Sequence, residues 1–386
     1  MRGSFRIARI MGIDISVDLS WFIILFLMVY SLGFFEFPRE LYPRTFFPRA
    51  DVLSVTLGIV TSLLLFASVL AHELSHSWMA IQRGIPVMNI TLFIFGGVAQ
   101  IADEPDRPAS EFLIAIMGPL MSVALAAVFG AAWLWLQIIE NFNFALPLTP
   151  LILLTGLLAQ ANGALALFNL APGFPLDGGR VFRAILWAIL RDVRRATRIA
   201  TRAGQLIALI LIGFGGWLFL TEFEINGIWY ILIAFFLWNA AGQGYRQTVV
   251  RETLRDVRVA QLMTREVQVV APDISMASFV TEYLIPRREQ TFAVSDGRAL
   301  LGTITLNHAQ RVPRDRWAAR CVRDEMTPRA RLSVLEPQQT AAAALGLLSR
   351  AGADELPVVE DGQLVGFLGR RELTRFLNLK IELKTR

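Results

Sequence analysis

Two histidines stand four positions apart with a glutamate directly after the first, in His72-Glu73-Leu74-Ser75-His76. On an α-helix, positions i and i+4 share a face, so both imidazoles can aim at one metal ion while Glu73 stands beside it to manage a proton. That is the equipment of metal-assisted hydrolysis, in which a bound cation lowers the pKa of a water and a carboxylate takes its proton. A pair of polar contacts within a helix bundle is the plainer alternative, although ionisable groups inside membrane segments usually serve a function. The third histidine, His308, lies far downstream and reads as a surface residue.

Two histidines leave a catalytic zinc one protein ligand short. Asp177 is the candidate for the third, in Asn169-Leu170-Ala171-Pro172-Gly173-Phe174-Pro175-Leu176-Asp177-Gly178-Gly179-Arg180. Prolines and glycines break the helix there, and a carboxylate at the end of a membrane span costs on the order of 3 kcal/mol unless it has a partner. Zinc would be such a partner, and an N-cap for a helix from Gly178 to Leu190 would explain the residue too.

The elements that must position these residues are apolar. The chain has 386 residues, 54% hydrophobic and 18% charged, which excludes an ordinary soluble protein. Six segments approach the roughly 20 residues that a bilayer core requires. They are Leu19 to Phe35, Val52 to Ile81, Glu111 to Leu136, Leu151 to Asn169, Gly204 to Leu220 and Gly227 to Ala241. The run from Leu53 to Leu70 carries only hydroxyls as polar side chains and leads straight into His72, so the motif lies within the membrane. Between spans, Val87 to Ile101 is β-branched and aromatic with a glycine break, the pattern of a short hairpin or re-entrant loop.

Arginines dominate the net charge of +5 and flank the spans, in the N-terminal arm, in a loop from Arg180 to Arg202 and in the tail from Arg246. By the positive-inside rule these face the cytoplasm, which gives cytoplasmic N- and C-termini, a retained first helix and an integral protein of a prokaryotic inner membrane. This placement argues against nucleic acid as a partner. Cys321 is the single cysteine and permits no internal disulfide.

His72-Glu73-x-x-His76 in an early span, joined to Asn169-x-x-Pro172-x-x-x-x-Asp177-Gly178 in a later one, resembles the site-2 protease family of intramembrane zinc metalloproteases. Gly118-Pro119 and Phe95-Gly96-Gly97 also match family features, so the resemblance covers about residues 1–244. It implies one zinc ion held by His72, His76 and Asp177, with Glu73 as general base and Asn169 aiding the substrate carbonyl or oxyanion. A structural hydrogen bond between spans is the alternative for Asn169, and Asn162 leans structural in the same way. The substrate would be a transmembrane segment of another protein, unwound locally and paired with the Val87 to Ile101 segment.

After a linker at 245–256 the tail is a repeat offset by about 63 to 65 positions. Leu262-Met263-Thr264 matches Glu325-Met326-Thr327, and Val294-Ser295-Asp296-Gly297 matches Val359-Glu360-Asp361-Gly362. Each unit reads as an extended start, a helix, a strand, an Asp-Gly turn, a strand and a final helix, which resembles a pair of cystathionine β-synthase (CBS) domains at 257–310 and 318–380. The expected fold is therefore a polytopic α-helical membrane domain followed by a soluble α/β tandem CBS module. Many such pairs bind an adenine nucleotide through a threonine or serine followed three positions later by aspartate. Here those places hold Thr305 and His308, then Gly369 and Glu372, so nucleotide binding is in doubt. Homodimerisation or regulation by the tail remain open.

The leading expectation is regulated proteolysis within the membrane. Its competitors are a membrane transporter or channel with CBS regulation, in which a His/Asp cluster binds a permeating ion, and a catalytically silent scaffold of the same family. Only hydrolysis needs Glu73 beside the first ligand.

Overall fold

The computed structural model describes residues 4–382 apart from 43–49, 95, 102–104, 143–146, 222–225, 287–290 and 298. The chain forms two compact units, Met1–Arg246 and Gln247–Arg386.

The first unit opens with a hairpin of β1 (Ser4–Ile10) and β2 (Ile13–Asp18). Helix α1 (Leu19–Ser31) then passes through a π-helical turn at Leu32–Glu36 into α2 (Phe37–Leu41). Helix α3 (Val52–Gln82) is capped by Asp51, whose carboxylate accepts from the Ser54 backbone at 2.8 Å and from the Tyr42 hydroxyl at 2.5 Å. With the Ser54 hydroxyl as its leading partner, that carboxyl titrates at about 2. Within α3 the hydroxyls of Thr61 and Ser77 have no hydrogen-bond partner among the described residues, whereas three of the buried hydroxyls are satisfied locally, Ser62 by the Gly58 carbonyl, Ser68 by Leu64 and Ser75 by His72. That is how a helix rich in serine can cross an apolar phase.

Strands β3 (Val87–Phe93) and β4 (Gly96–Ile101) form the expected hairpin; Phe95 lies outside the described residues. The N-terminal arm was expected only to orient the chain, yet β2 pairs in parallel with β3, Ile15 opposite Ile90, and the four strands run in the order β1-β2-β3-β4. Alternation explains it: Ile13, Ile15 and Val17 are buried while the residues between them are not. Among the described residues strand β4 is an edge of this sheet, as β1 is at the other side.

Helices α4 (Pro108–Phe142), α5 (Thr149–Asn169), α6 (Asp177–Leu190), α7 (Val193–Thr221) and α8 (Asn226–Leu254) follow. Among the described residues, five stretches are long and apolar enough to span a membrane: Leu19–Leu41, Val52–Gln82, Pro108–Phe142, Thr149–Asn169 and Val193–Thr221. The sixth expected span is helical but its apolar part is short, and α8 runs on through polar residues, so the supposed linker is largely helix. The arginine-rich loop from Arg180 to Arg202 is likewise mostly α6 and the start of α7.

The second unit contains the repeat. Its first half comprises α9 (Val259–Leu262), β5 (Val269–Val270), α10 (Met276–Ser278) with a π-helical turn at Phe279–Leu284, β6 (Thr291–Ser295), β7 (Leu300–Thr305) and α11 (Leu306–Arg311). The second half comprises α12 (Val322–Glu325), β8 (Thr327–Pro328), α13 (Ala341–Ala351), β9 (Glu355–Glu360), β10 (Gln363–Gly369) and α14 (Arg370–Glu382). The halves trade edges: Thr327 pairs with Thr303 of β7, while Thr264 pairs with Phe367 of β10. Separate cores form around Phe279, Phe292 and Ile304 and around Leu335, Leu348 and Leu368, and a shared cluster of Ala293, Leu300, Val359 and Phe367 joins them. The second Asp-Gly turn has both residues at positive φ, Asp361 at 51° and Gly362 at 82°, the hairpin form its sequence calls for.

His308 is not on the open surface. Its Nδ1 accepts from the Thr305 backbone N–H at 3.1 Å, and its Nε2 lies 3.0 Å from the Thr327 hydroxyl. In the second half the Glu372 carboxylate takes the same place, accepting from the Gly369 backbone at 3.1 Å. Both side chains that replace the ribose-binding aspartate are thus engaged in capping their own helices.

Candidate metal centre

Helix α3 presents His72 and His76 one turn apart, and the loop after α5 delivers Asp177 to them as the first residue of α6. One Asp177 oxygen, Oδ2, lies 3.1 Å from Nε2 of His72 and 3.1 Å from Nε2 of His76, and the two nitrogens are 3.2 Å apart. Leu176, not Asp177, occupies the N-cap, so the carboxylate is committed to the histidines. The loop that feeds it is tight. A Cβ on Gly178 would fall 2.3 Å from the Leu170 carbonyl, and one on Gly179 would fall 2.2 Å from Gly173.

Each histidine is oriented from behind by α4. The Nδ1–H of His76 donates to the Ile114 carbonyl at 2.6 Å, and Nδ1 of His72 lies 2.9 Å from the Ser122 hydroxyl. A carbonyl can only accept, so His76 carries its proton on Nδ1 and offers the Nε2 lone pair to the cluster. Both rings are buried.

The donor set fits a zinc ion. Ligands about 2.0–2.2 Å from a tetrahedral metal stand roughly 3.3 Å apart, close to the spacing of these three atoms. Among the described residues His72, His76 and Asp177 are grouped with all ligand atoms within 4.8 Å of one another. Gly118 on α4 keeps the space in front of them clear: a Cβ there would sit 2.1 Å from Nε2 of His76 and 2.5 Å from Nε2 of His72. Alanine at this position would put a methyl group among these ring nitrogens.

Glu73 lies beneath β4, where a Cβ on Gly97 would come within 2.5 Å of its side chain. Its carboxylate makes no hydrogen bond among the described residues, which leaves it free to take a proton. Asn169, in the last turn of α5, is partly exposed, and its amide is likewise without a hydrogen bond among the described residues. Asn162 is structural: its amide donates to the Leu158 carbonyl at 2.9 Å and to the Ser68 hydroxyl at 3.3 Å. The orienting residues Ile114, Gly118 and Ser122 were not singled out as such from sequence, although Gly118-Pro119 was noted and their spacing of four and four marks one helix face.

Residues 60–211 match the model of peptidase family M50, and residues 322–379 match the CBS domain. A protein of Synechocystis, provisionally named a zinc metalloprotease, is 32% identical over 98% of this chain and 96% of its own length. The chain belongs to the M50, or site-2 protease, family. A Mycobacterium tuberculosis protein with the same provisional name is also 32% identical, over 98% of this chain and 94% of its own. The solved site-2 protease of Methanocaldococcus jannaschii is 30% identical and covers 62% of this chain and 94% of its own, with a TM-score of 0.40. Membership selects the protease reading over a transporter or channel, and it makes this member of the M50 family an integral membrane protein with a CBS tail.

Proposed function

We propose that the protein is an intramembrane zinc endopeptidase that cleaves membrane protein substrates in or near their transmembrane segments. The observation that carries this reading is the single Asp177 oxygen equidistant from the Nε2 atoms of His72 and His76. These three residues hold the zinc. When bound, the metal supplies an acidified water and polarises the peptide carbonyl. Glu73 takes the proton from the attacking water and returns it to the leaving amine. Asn169, at the end of α5 just before that loop, donates from its amide to the scissile carbonyl or its oxyanion.

An intact helix hides its carbonyls, so the substrate must enter as an extended strand. The β4 edge, lying over Glu73, can add that strand through main-chain hydrogen bonds. Water reaches the site from the cytoplasm, where both termini lie in a prokaryotic inner membrane. The CBS pair acts as a regulatory or dimerising module. Its engaged His308 and Glu372 favour that role over binding of an adenine nucleotide.

The test uses purified full-length protein in lipid vesicles with a transmembrane substrate. Wild type should bind one zinc per chain and Asp177→Asn markedly less, by metal analysis. Glu73→Gln should retain zinc but lose cleavage by about 10²–10⁴-fold. Cleavage by that variant at the wild-type rate would remove the endopeptidase assignment.

A further inference from the structure

One buried ion pair has no part in the chemistry described so far. Glu111 of α4 and Arg183 of α6 face each other through Nε and Nη2 of the guanidinium, and both side chains are buried. The Arg183 guanidinium also stacks 5.0 Å from the centre of the Phe174 ring. Phe174 belongs to the loop that delivers Asp177, and its backbone N–H donates to the Ala200 carbonyl of α7 at 3.2 Å. Arg183, itself on the helix that begins with Asp177, therefore ties that helix both to α4 and to the loop that precedes it.

On α4, Glu111 shares a face with Ile114, Gly118 and Ser122, at spacings of three, four and four. One helix face thus holds both histidines by their Nδ1 atoms, clears the metal space and clasps the helix that brings the third ligand. Stability alone is a poor reason for such a pair, because well-packed apolar residues commonly replace buried ion pairs without loss. Its value lies in fixing one geometry.

We propose that Glu111 and Arg183 are positioning residues for the metal centre, setting the reach of Asp177 toward His72 and His76. This rests on the zinc ligation proposed above. A carboxylate that must meet two imidazoles within a few tenths of an ångström tolerates little sliding of α6 against α4, and the guanidinium–carboxylate pair is a buried polar link between those helices.

The experiment measures zinc affinity of the full-length protein by chelator competition, in wild type, Glu111→Gln, Asp177→Asn and the double variant. Glu111→Gln should weaken zinc by about 10–100-fold, as loss of an outer support does. On the Asp177→Asn background it should cost nothing further, because its effect passes through Asp177. The visible spectrum of the Co²⁺-loaded protein should move in Glu111→Gln toward that of Asp177→Asn. Wild-type affinity in Glu111→Gln, or an equal loss on both backgrounds, would overturn the proposal, the second outcome showing general packing. Should Glu111→Gln not assemble, Glu111→Asp, which keeps the charge and shortens the reach, carries the same comparison. Unchanged zinc binding in Asp177→Asn would instead strike the proposed ligand set itself.

Discussion

In the membrane unit the buried side chains include Ser54, Thr61, Ser62, Ser68, His72, Ser75, His76, Glu111, Ser122, Asn162 and Arg183, while Phe26, Leu167, Ile189, Leu209 and Phe235 face outward. The tail unit lacks that polar interior: Phe279, Phe292, Ile304, Leu335 and Leu348 are inside, with only Thr248 and Thr303 as buried polar side chains among the described residues, whereas the membrane unit buries its polar set beside apolar residues such as Phe37, Ile90 and Leu158. Lipid gives leucine no reason to hide, so the first unit is held by helix packing and polar contacts; water does, so the second is held by its apolar cores. Chemistry is placed in the first unit because a polar interior is already needed there. The same side-chain change should therefore differ greatly in its effect between the two units.

The sharpest way to break the contrast is Gly118→Ala. A single methyl group placed among the histidine nitrogens should lower zinc affinity by at least about 100-fold, read by metal analysis, although alanine is the better helix former. The next comparison sets Leu348→Ala against Leu209→Ala. The first removes a fully buried tail side chain and should cost about 2–5 kcal/mol, read by hydrogen exchange of the tail amides in the full chain. The second removes a lipid-facing side chain and should stay within about 0.5 kcal/mol by thermal unfolding. A large loss in Leu209→Ala would mean that the outer face of α7 is packed against protein.

The smallest effect concerns His308. Burial, assisted by the nearby Arg311 charge, pulls its pKa below the ordinary histidine value. The neutral ring is the form that accepts from the Thr305 backbone, so its contribution to tail stability is complete above about pH 6.5 and fades as pH falls through the lowered folded value. Tail amides should exchange faster at pH 5.5 than at pH 7.5, beyond the intrinsic pH dependence, and His308→Gln should flatten the difference.

Much of this was legible in the residues. The His72-Glu73-x-x-His76 spacing needs only helix geometry, Asp177 stood out as a carboxylate among prolines and glycines at a span end, and the Asp-Gly turns marked the tail hairpins. Features that depend on a distant partner were hidden. The hairpin of β1 and β2 was masked because Arg6 and Arg9 read as orienting charges, and its sheet is completed only by β3, about seventy positions on. The Glu111–Arg183 pair joins residues whose meeting depends on how α6 lies against α4. His308 and Glu372 were visible as departures from a nucleotide-binding pattern, but their capping roles needed the folded loops.

The exchange of edges in the tail sets an order of completion. While the chain is being made, β7 lacks its outer neighbour until Thr327 has been added, and Thr264 lacks its own until Phe367 has been added. Neither half is finished alone, and a chain cut short before β10 would leave the β9 edge open and Thr264 without its bridge, ready to pair with other chains. Strand β10 is thus the closing stitch of a seam begun a hundred residues earlier.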